Sequence, residues 1–409
     1  MSISRRVFLG SAAAVSATPI LRARAEKPRI VIGVLSDLSG TYRDVTGPTS
    51  VACVHQAIAD FDAAGKGLDV QVITADHQNK ADIGAGIARD WTDTKSVDLI
   101  ADVPNSSVAL AVAQIVRQKN RIMQTNATTT VLTTTQCSPN TVMWSLDTYL
   151  LGHSTGGAMM RAGAKKWFFI TADYAFGHSL EEETAKVVAE MGGTVVGRAR
   201  YPFPDTTDFS SYLAQASASG AKVVAFANAG VDLVNCVKQA HEFGLPQSGL
   251  RLVPLEMFVS DAHALSPDDS AGLICSTTFY WDLNDRTRAF AKRVLARTPD
   301  HYPTMGHAST YANTLHFLKA VADMGAAAAK QGGGLAILGR MKAMPTDDDA
   351  FGKGSLRVDG RGMFPAYLVE AKKPDQRKQR WDLYKVLATT PADEVVHPLG
   401  EGGCTLGKA

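Results

Sequence analysis

The chain is short of several features that would assign a function at once. Its 409 residues contain no H-E-x-x-H pair and no cluster of cysteines and histidines at zinc-ligand spacing, so nothing points to a zinc site. Asp347-Asp348-Asp349 lacks the alternating ligands and terminal glutamate of a calcium loop. Gly84-Ala85-Gly86-Ile87-Ala88-Arg89 carries two glycines of a dinucleotide fingerprint but not the third, and it falls within a helical pattern rather than directly after the first strand. No cysteine stands in a nucleophile motif. Catalysis, metals and cofactors are therefore not expected. With 35 Gly and 17 Pro, glycine and proline are too sparse for collagen-like or low-complexity sequence. At 45% hydrophobic and 20% charged residues, the chain has the apolar content for a sizeable core, and its length suits about two domains.

Acidic residues are missing from residues 1–25, where Arg5, Arg6, Arg22 and Arg24 supply all the charge. The formal net charge of +2 for the whole chain thus becomes mildly negative over the remainder. That balance argues against a nucleic-acid partner, which needs a concentrated basic surface. Fifteen uncharged residues separate Arg6 from Arg22, against the roughly 20 of a spanning helix. Ser4-Arg5-Arg6-Val7-Phe8-Leu9, the small apolar stretch 10–21 and Ala23-Arg24-Ala25 read as a twin-arginine type signal peptide cleaved before Glu26. No lipobox cysteine lies near the site, so a soluble periplasmic product is expected. The five cysteines, Cys53, Cys137, Cys236, Cys275 and Cys404, then enter an oxidising compartment, and their odd number leaves at least one unpaired. Cys53 and Cys236 fall in apolar helical patterns and read as buried thiols.

Past the leader the pattern alternates. The run 29–35 is a short apolar strand opening into the polar loop 36–42; Val51, Val54, Ile58 and Phe61 repeat at helical spacing, with Gly65 at the cap. Strands at 70–73, 97–101 and from 122 alternate with helices at 82–91 and 108–116. A second round has strands at 167–171, 194–196, 223–227 and 250–253, and helices from Glu181-Glu182-Glu183 to Met191 and at 232–243. This alternation predicts an α/β fold of two doubly wound parallel-sheet lobes, with ligands beyond the carboxyl ends of the strands. Stretches at 142–145 and 272–276 lack helical period and serve as crossovers. Helices are expected at 286–297 and 311–324, a short helix between loops over 332–354, and a hairpin of 356–358 with 366–369 around Asp359-Gly360.

Ser36-Asp37-Leu38-Ser39-Gly40, Asn105-Ser106-Ser107, Asp173-Tyr174-Ala175-Phe176-Gly177 and the run 239–245 together resemble the Leu/Ile/Val-binding branch of periplasmic ABC-transporter receptors, the type I periplasmic binding proteins. The resemblance covers nearly all of the mature chain. It implies a three-segment hinge near Val142, Cys275 and Phe351, with residues 26–145 and 280–350 in lobe one and 146–279 and 351–409 in lobe two. It further implies closure on a small-molecule ligand, delivery to an inner-membrane ABC permease and a monomeric protein. Residues 278–282 and 137–140 resemble the subgroup for aromatic acids and similar small carboxylates. An amino acid or amide is the alternative ligand, and a sensor input module or periplasmic enzyme the alternative role. Cys137 and Cys404, by the same likeness and their loop and tail settings, form the expected disulfide.

Candidate ligand residues follow from position. Asn105, Ser106 and Ser107 end one strand and open a helix whose N-terminus favours an anion; the plainer reading is an N-cap. Asn126, Ala127 and Thr128 end the next strand, and the resemblance gives both loops to the ligand carboxylate. Tyr42 and Tyr174 follow the first strands of the two lobes and supply an apolar face with a polar tip, or simply core packing. Asn228 and Glu256 end strands of the second lobe; Glu256 would pair an ammonium or accept a phenol proton, unless it is a surface residue. Phe279, with Tyr280 and Trp281, adjoins the second crossover and offers a ring surface.

Overall fold

Seven of the eight residues of β1 (Arg29–Ser36) are buried, because this strand lies inside a parallel sheet covered on both faces. The structure, a computed structural model, describes Met1 and residues 28–407; the expected signal peptide lies outside the described residues. β1 pairs with β2 (Asp69–Asp76) and β3 (Leu99–Asp102), and β4 (Ile122–Thr125) and β5 (Thr141–Met143) complete the order β2-β1-β3-β4-β5, all parallel. Helices Ala81–Thr94 and Ser106–Gln118 cover one face with Ala85, Ala88, Trp91, Val108 and Val112. Their approach requires Gly33, since a Cβ there would stand 2.4 Å from the Trp91 ring. Helices Gly47–Phe61 and Met305–Met324 cover the other face. Thr304 Oγ1 donates to the Val45 carbonyl at 2.7 Å and His307 Nε2 to that of Thr46 at 2.7 Å, so the distant helix is fixed to the loop after β1.

The second lobe repeats the scheme with β6 (Lys166–Ala172), β7 (Thr194–Tyr201), β8 (Val223–Ala227) and β9 (Arg251–Pro254) in the parallel order β7-β6-β8-β9. Helices Ala175–Glu190, Ser210–Ala218 and Val231–Glu242 flank it. β10 (Ile274–Thr277) stands outside both parallel sheets. Three further strands, β11 (Thr346–Asp348), β12 (Gly352–Leu356) and β13 (Gly362–Met363), form a small antiparallel sheet. β14 (Ala366–Ala371) lies between β10 and β15 (Tyr384–Thr390) in another.

Two local expectations need correction. Leu356 pairs with Gly362 rather than with the 366–369 segment: the turn closes within Arg357–Arg361, where the Gly360 N–H reaches the Arg357 carbonyl, and Pro365 then separates β13 from β14. The stretch beginning at Gly332 is not a loop but the middle of a helix, Ala326–Ala343, kinked at Gly333. Between the lobes, Arg361 Nε donates to Asp147 Oδ2 at 2.8 Å, both side chains fully buried, while Asp147 Oδ1 caps the helix Thr148–Leu151. Cys137 and Cys404 are disulfide-bonded with Cα atoms 5.8 Å apart, and Cys53, Cys236 and Cys275 are buried thiols.

Candidate functional site

Strand ends build the site. Tyr42, Val45 and Thr46 follow β1, Pro104 follows β3, and Asn126 and Thr128 follow β4. Tyr174 and Phe176 follow β6, Ala229 follows β8, and Glu256 and Phe258 follow β9. All of them line one cavity. It lies where the carboxyl ends of the two parallel sheets meet, the position such sheets reserve for ligands. Its walls stand close together: the enclosed room is about 20 Å³, enough for about one water, so a larger solute requires the two walls to part.

The two lobes touch around this cavity. The phenol oxygens of Tyr42 and Tyr174 are hydrogen-bonded to each other across it. Phe203 stacks on both rings, with centroids 4.3 Å from Tyr174 and 5.6 Å from Tyr42. Burial raises both phenol pKa values, so both are neutral donors. Thr128 Oγ1 lies 3.5 Å from Glu256 Oε2, while Glu256 Oε1 is buried without a partner. Burial first, and the nearby Asp261 second, push the Glu256 carboxyl up to about 8. No lysine or arginine lines the cavity.

The remaining candidates are placed unequally. Asn105 caps the helix Ser106–Gln118, its Oδ1 accepting from the Val108 N–H at 3.1 Å. Ser106 is fully buried with its hydroxyl unpartnered, and Ser107 is half-buried; neither lines the cavity itself, although Pro104 two residues before Ser106 does. Asn126 is on the wall, but its amide donates to Asp102, to the Gly306 carbonyl and to Thr310, and its oxygen accepts from Gln124. Ala127 belongs to the core on the far face of the first sheet. The Asn228 amide donates to Cys236 Sγ at 3.3 Å and its Oδ1 has no partner. Phe279 packs against Phe290 and Phe351 and is not on the cavity wall; β10 pairs with β14, next to β15, and the aromatics that follow it are buried. The wall residues Val45, Thr46, Pro104, Phe176, Ala229 and Phe258 escaped the reading of the sequence. Pro104, Phe176, Ala229 and Phe258 lie two to four residues past the carboxyl end of a strand, and that position was the available signal; Val45 and Thr46 lie farther along the loop after β1.

The model of the periplasmic binding protein family matches residues 29–378. The chain belongs to that family. A periplasmic binding protein of Burkholderia mallei is 38% identical, with 93% of this chain and 99% of that one covered and a TM-score of 0.88. A branched-chain amino acid ABC transporter periplasmic ligand-binding protein of Burkholderia xenovorans is 35% identical, covering 92% of this chain and 100% of that one, with a TM-score of 0.79. An ABC-transporter solute-binding protein from R. palustris in complex with benzoate shares the fold, at 21% identity, 91% and 99% coverage and a TM-score of 0.79. No curated protein matches the chain. This periplasmic binding protein is thus a solute-binding receptor of the ABC-transporter class. Its cavity is bounded by aromatic rings and, among the described residues, carries no lysine or arginine.

Proposed function

We propose that the protein is the periplasmic receptor of an ABC importer for a small aromatic carboxylate. The observation that carries this reading is the wall itself. Tyr42, Tyr174, Phe176 and Phe258 present rings, and Glu256 is the one ionisable carboxyl among the lining residues, kept neutral at pH 7 by burial. A ligand with a ring fits such walls, and one lacking a cation leaves Glu256 protonated without electrostatic cost. The first-turn N–H groups of the helix at Ser106 and Ser107, the unpartnered Ser106 and Thr129 hydroxyls, and Thr128 are the neutral donors for the carboxylate. Tyr174 and Glu256, with Asn228 behind them, read the opposite end. That the benzoate-bound R. palustris protein has the same fold is consistent with this choice.

A second reading rests on the same unpartnered Glu256 oxygen. An α-ammonium at that point would ionise the carboxyl and pair with it, and the 35% identical relative is named for branched-chain amino acids. A thermal-shift screen of the mature protein separates the two. Benzoate or a hydroxybenzoate at 100 times its Kd should add about 2.7 kcal/mol of stability, and leucine should add none. A shift with leucine alone would replace the first reading by the second.

Delivery follows the family scheme. The lobes, divided near residues 145, 280 and 350, close on the ligand as a monomer and present it to a membrane permease. Residues 1–25 act as the twin-arginine leader. Mass spectrometry of the periplasmic protein should give an N-terminus at Glu26; retention of Arg5 and Arg6, or a membrane-bound product, would overturn export in soluble form.

A further inference from the structure

Outside the ligand cavity, a second contact joins the lobes. The loop after β1 carries Thr41, and its carbonyl accepts from the Val231 N–H at 3.2 Å. Val231 is the first residue of the helix Val231–Glu242 in the other lobe, so this N–H has no partner within its own helix. Gly230 gives the Thr41 carbonyl its seat: a Cβ there would stand 2.4 Å from that oxygen, and the residue has a φ of +65°. Any side chain would hold the lobes apart. The Gly230 N–H in turn bonds to the buried Asp261 carboxylate, which also accepts from the Phe258 N–H, so the notch is braced from beneath. Beside it, Thr41 Oγ1 lies 3.4 Å from Asp232 Oδ1, and Asp232 Oδ2 accepts from the Tyr201 hydroxyl at 2.8 Å.

We infer that the Thr41 carbonyl, seated on Gly230 and Val231 beside Asp232, is a closure latch: a set of positioning residues that fixes the closed geometry and sets affinity for every ligand by the same factor. The inference rests on the receptor reading above but not on which solute is bound. None of these four residues lines the cavity, so they cannot discriminate among ligands by contact. They act through the population of the closed form, and apparent affinity scales with that fraction whatever the ligand.

Val231→Pro tests it with little other damage. Proline is favoured at the first position of a helix; it removes the N–H that reaches Thr41 and sets its ring Cδ against that carbonyl, and the Val231 side chain is 47% exposed. Calorimetry with benzoate, 4-hydroxybenzoate and leucine should show every ligand that binds the parent weakened about tenfold or more, since the hydrogen bond is lost and its place crowded, with the ratios among them unchanged. Small-angle scattering of the ligand-free variant should give a larger radius of gyration than the parent, an outcome that does not depend on the ligand assignment. Thr41→Val, which removes only the hydroxyl near Asp232, should produce a smaller and equally uniform loss, and it serves if the proline variant does not fold. Losses that differ among ligands, or unchanged affinity with an unchanged radius for either folded variant, would overturn the latch. Failure of all three solutes to bind the parent would instead strike the ligand assignment and leave the scattering comparison standing.

Discussion

Asp102 and Glu256 are both buried carboxyl groups at strand ends, one in each lobe, and they differ in their company. Asp102 accepts hydrogen bonds from Ser36, from Ser50 at 2.9 Å, from Asn126 and from Thr310 at 3.1 Å. Glu256 has one long contact, from Thr128, and a bare second oxygen. Burial raises both acids, to about 6 for Asp102, where the four donors pull the other way, and to about 8 for Glu256. A buried acid surrounded by donors is a structural node, because its hydrogen bonds are made whether or not a ligand arrives. One left bare beside a cavity costs stability and gains meaning only through what enters. On the proposed function, the contrast divides the receptor into a lobe whose buried carboxyl organises the wall and a lobe whose buried carboxyl reads the ligand.

The largest effect expected from this contrast is on stability. Asp102→Ala should cost about 3–5 kcal/mol, since it takes the shared acceptor from four buried donors at once and leaves a cavity, and the ranking among ligands should not change. Urea denaturation and competition binding measure the two halves of the statement. A loss below about 1 kcal/mol, or a reordering of ligands, would break the comparison at its structural end.

Part of this was legible from the sequence, and the failures have physical causes. The parallel sheets were readable because strands buried on both faces appear as unbroken apolar runs such as 29–35 and 223–227, each followed by a helical period. Tyr42, Thr128, Tyr174 and Glu256 were findable as cavity residues because a parallel sheet places its ligand at strand ends. Asn126 shows the limit of that rule. Its position is on the wall, but its amide is committed to Asp102, Gly306 and Thr310, and Gly306 and Thr310 lie 180 or more residues further along the chain. The helix Ala326–Ala343 was hidden by Gly332-Gly333-Gly334, which reads as a loop. Asn120 holds the two halves together, donating to the Gly332 carbonyl at 3.2 Å and accepting from the Leu335 N–H at 2.8 Å, and no local pattern announces a cap supplied from across the lobe. β15 was missed for a related reason: it is an edge strand, with Lys385, Val386 and Leu387 exposed, and carries no buried-strand signature.

An intermediate effect belongs to Glu256. In the unfolded chain its carboxyl loses its proton near the ordinary value of 4.5, whereas the folded protein keeps it up to about 8. Between those values the native state binds more protons than the unfolded one, so this group lowers stability progressively as pH rises from about 4.5 to about 8 and adds no further change above. Glu256→Gln removes the proton linkage. The variant should match the parent at pH 4 and exceed it at pH 8 by an amount on the order of 4 kcal/mol, read by urea denaturation at both pH values. Binding sharpens the contrast. At pH 7 an aromatic acid should bind the variant within about threefold of the parent, because Gln resembles the protonated acid, whereas an amino acid should lose tenfold or more with its charge partner. In the parent, aromatic-acid affinity should fall as pH rises through 8, since an ionised Glu256 then shares a small cavity with the ligand's anion. An affinity that rises over that range would give Glu256 a cationic partner instead.

The smallest effect concerns two adjacent serines in the first lobe. Ser106 is fully buried with an unpartnered hydroxyl, and Ser107 is half-buried at the same helix start. If the helix start holds the ligand carboxylate, each alanine variant removes a neutral donor, and each should weaken every carboxylate ligand alike, by about 0.5–1.5 kcal/mol. Ser106→Ala should give the larger loss, because its donor is the more completely removed from water. The stability of the ligand-free protein should be unchanged or slightly raised for Ser106→Ala, since a buried hydroxyl without a partner carries a desolvation cost that alanine lacks. This sign distinguishes it from Asp102→Ala, in which affinity and fold depend on the same network. Calorimetry with benzoate beside urea denaturation of the ligand-free variant gives both numbers. A variant that gains stability and keeps its affinity would show that the carboxylate is held elsewhere, with the backbone N–H groups and the Thr128 loop as the remaining donors.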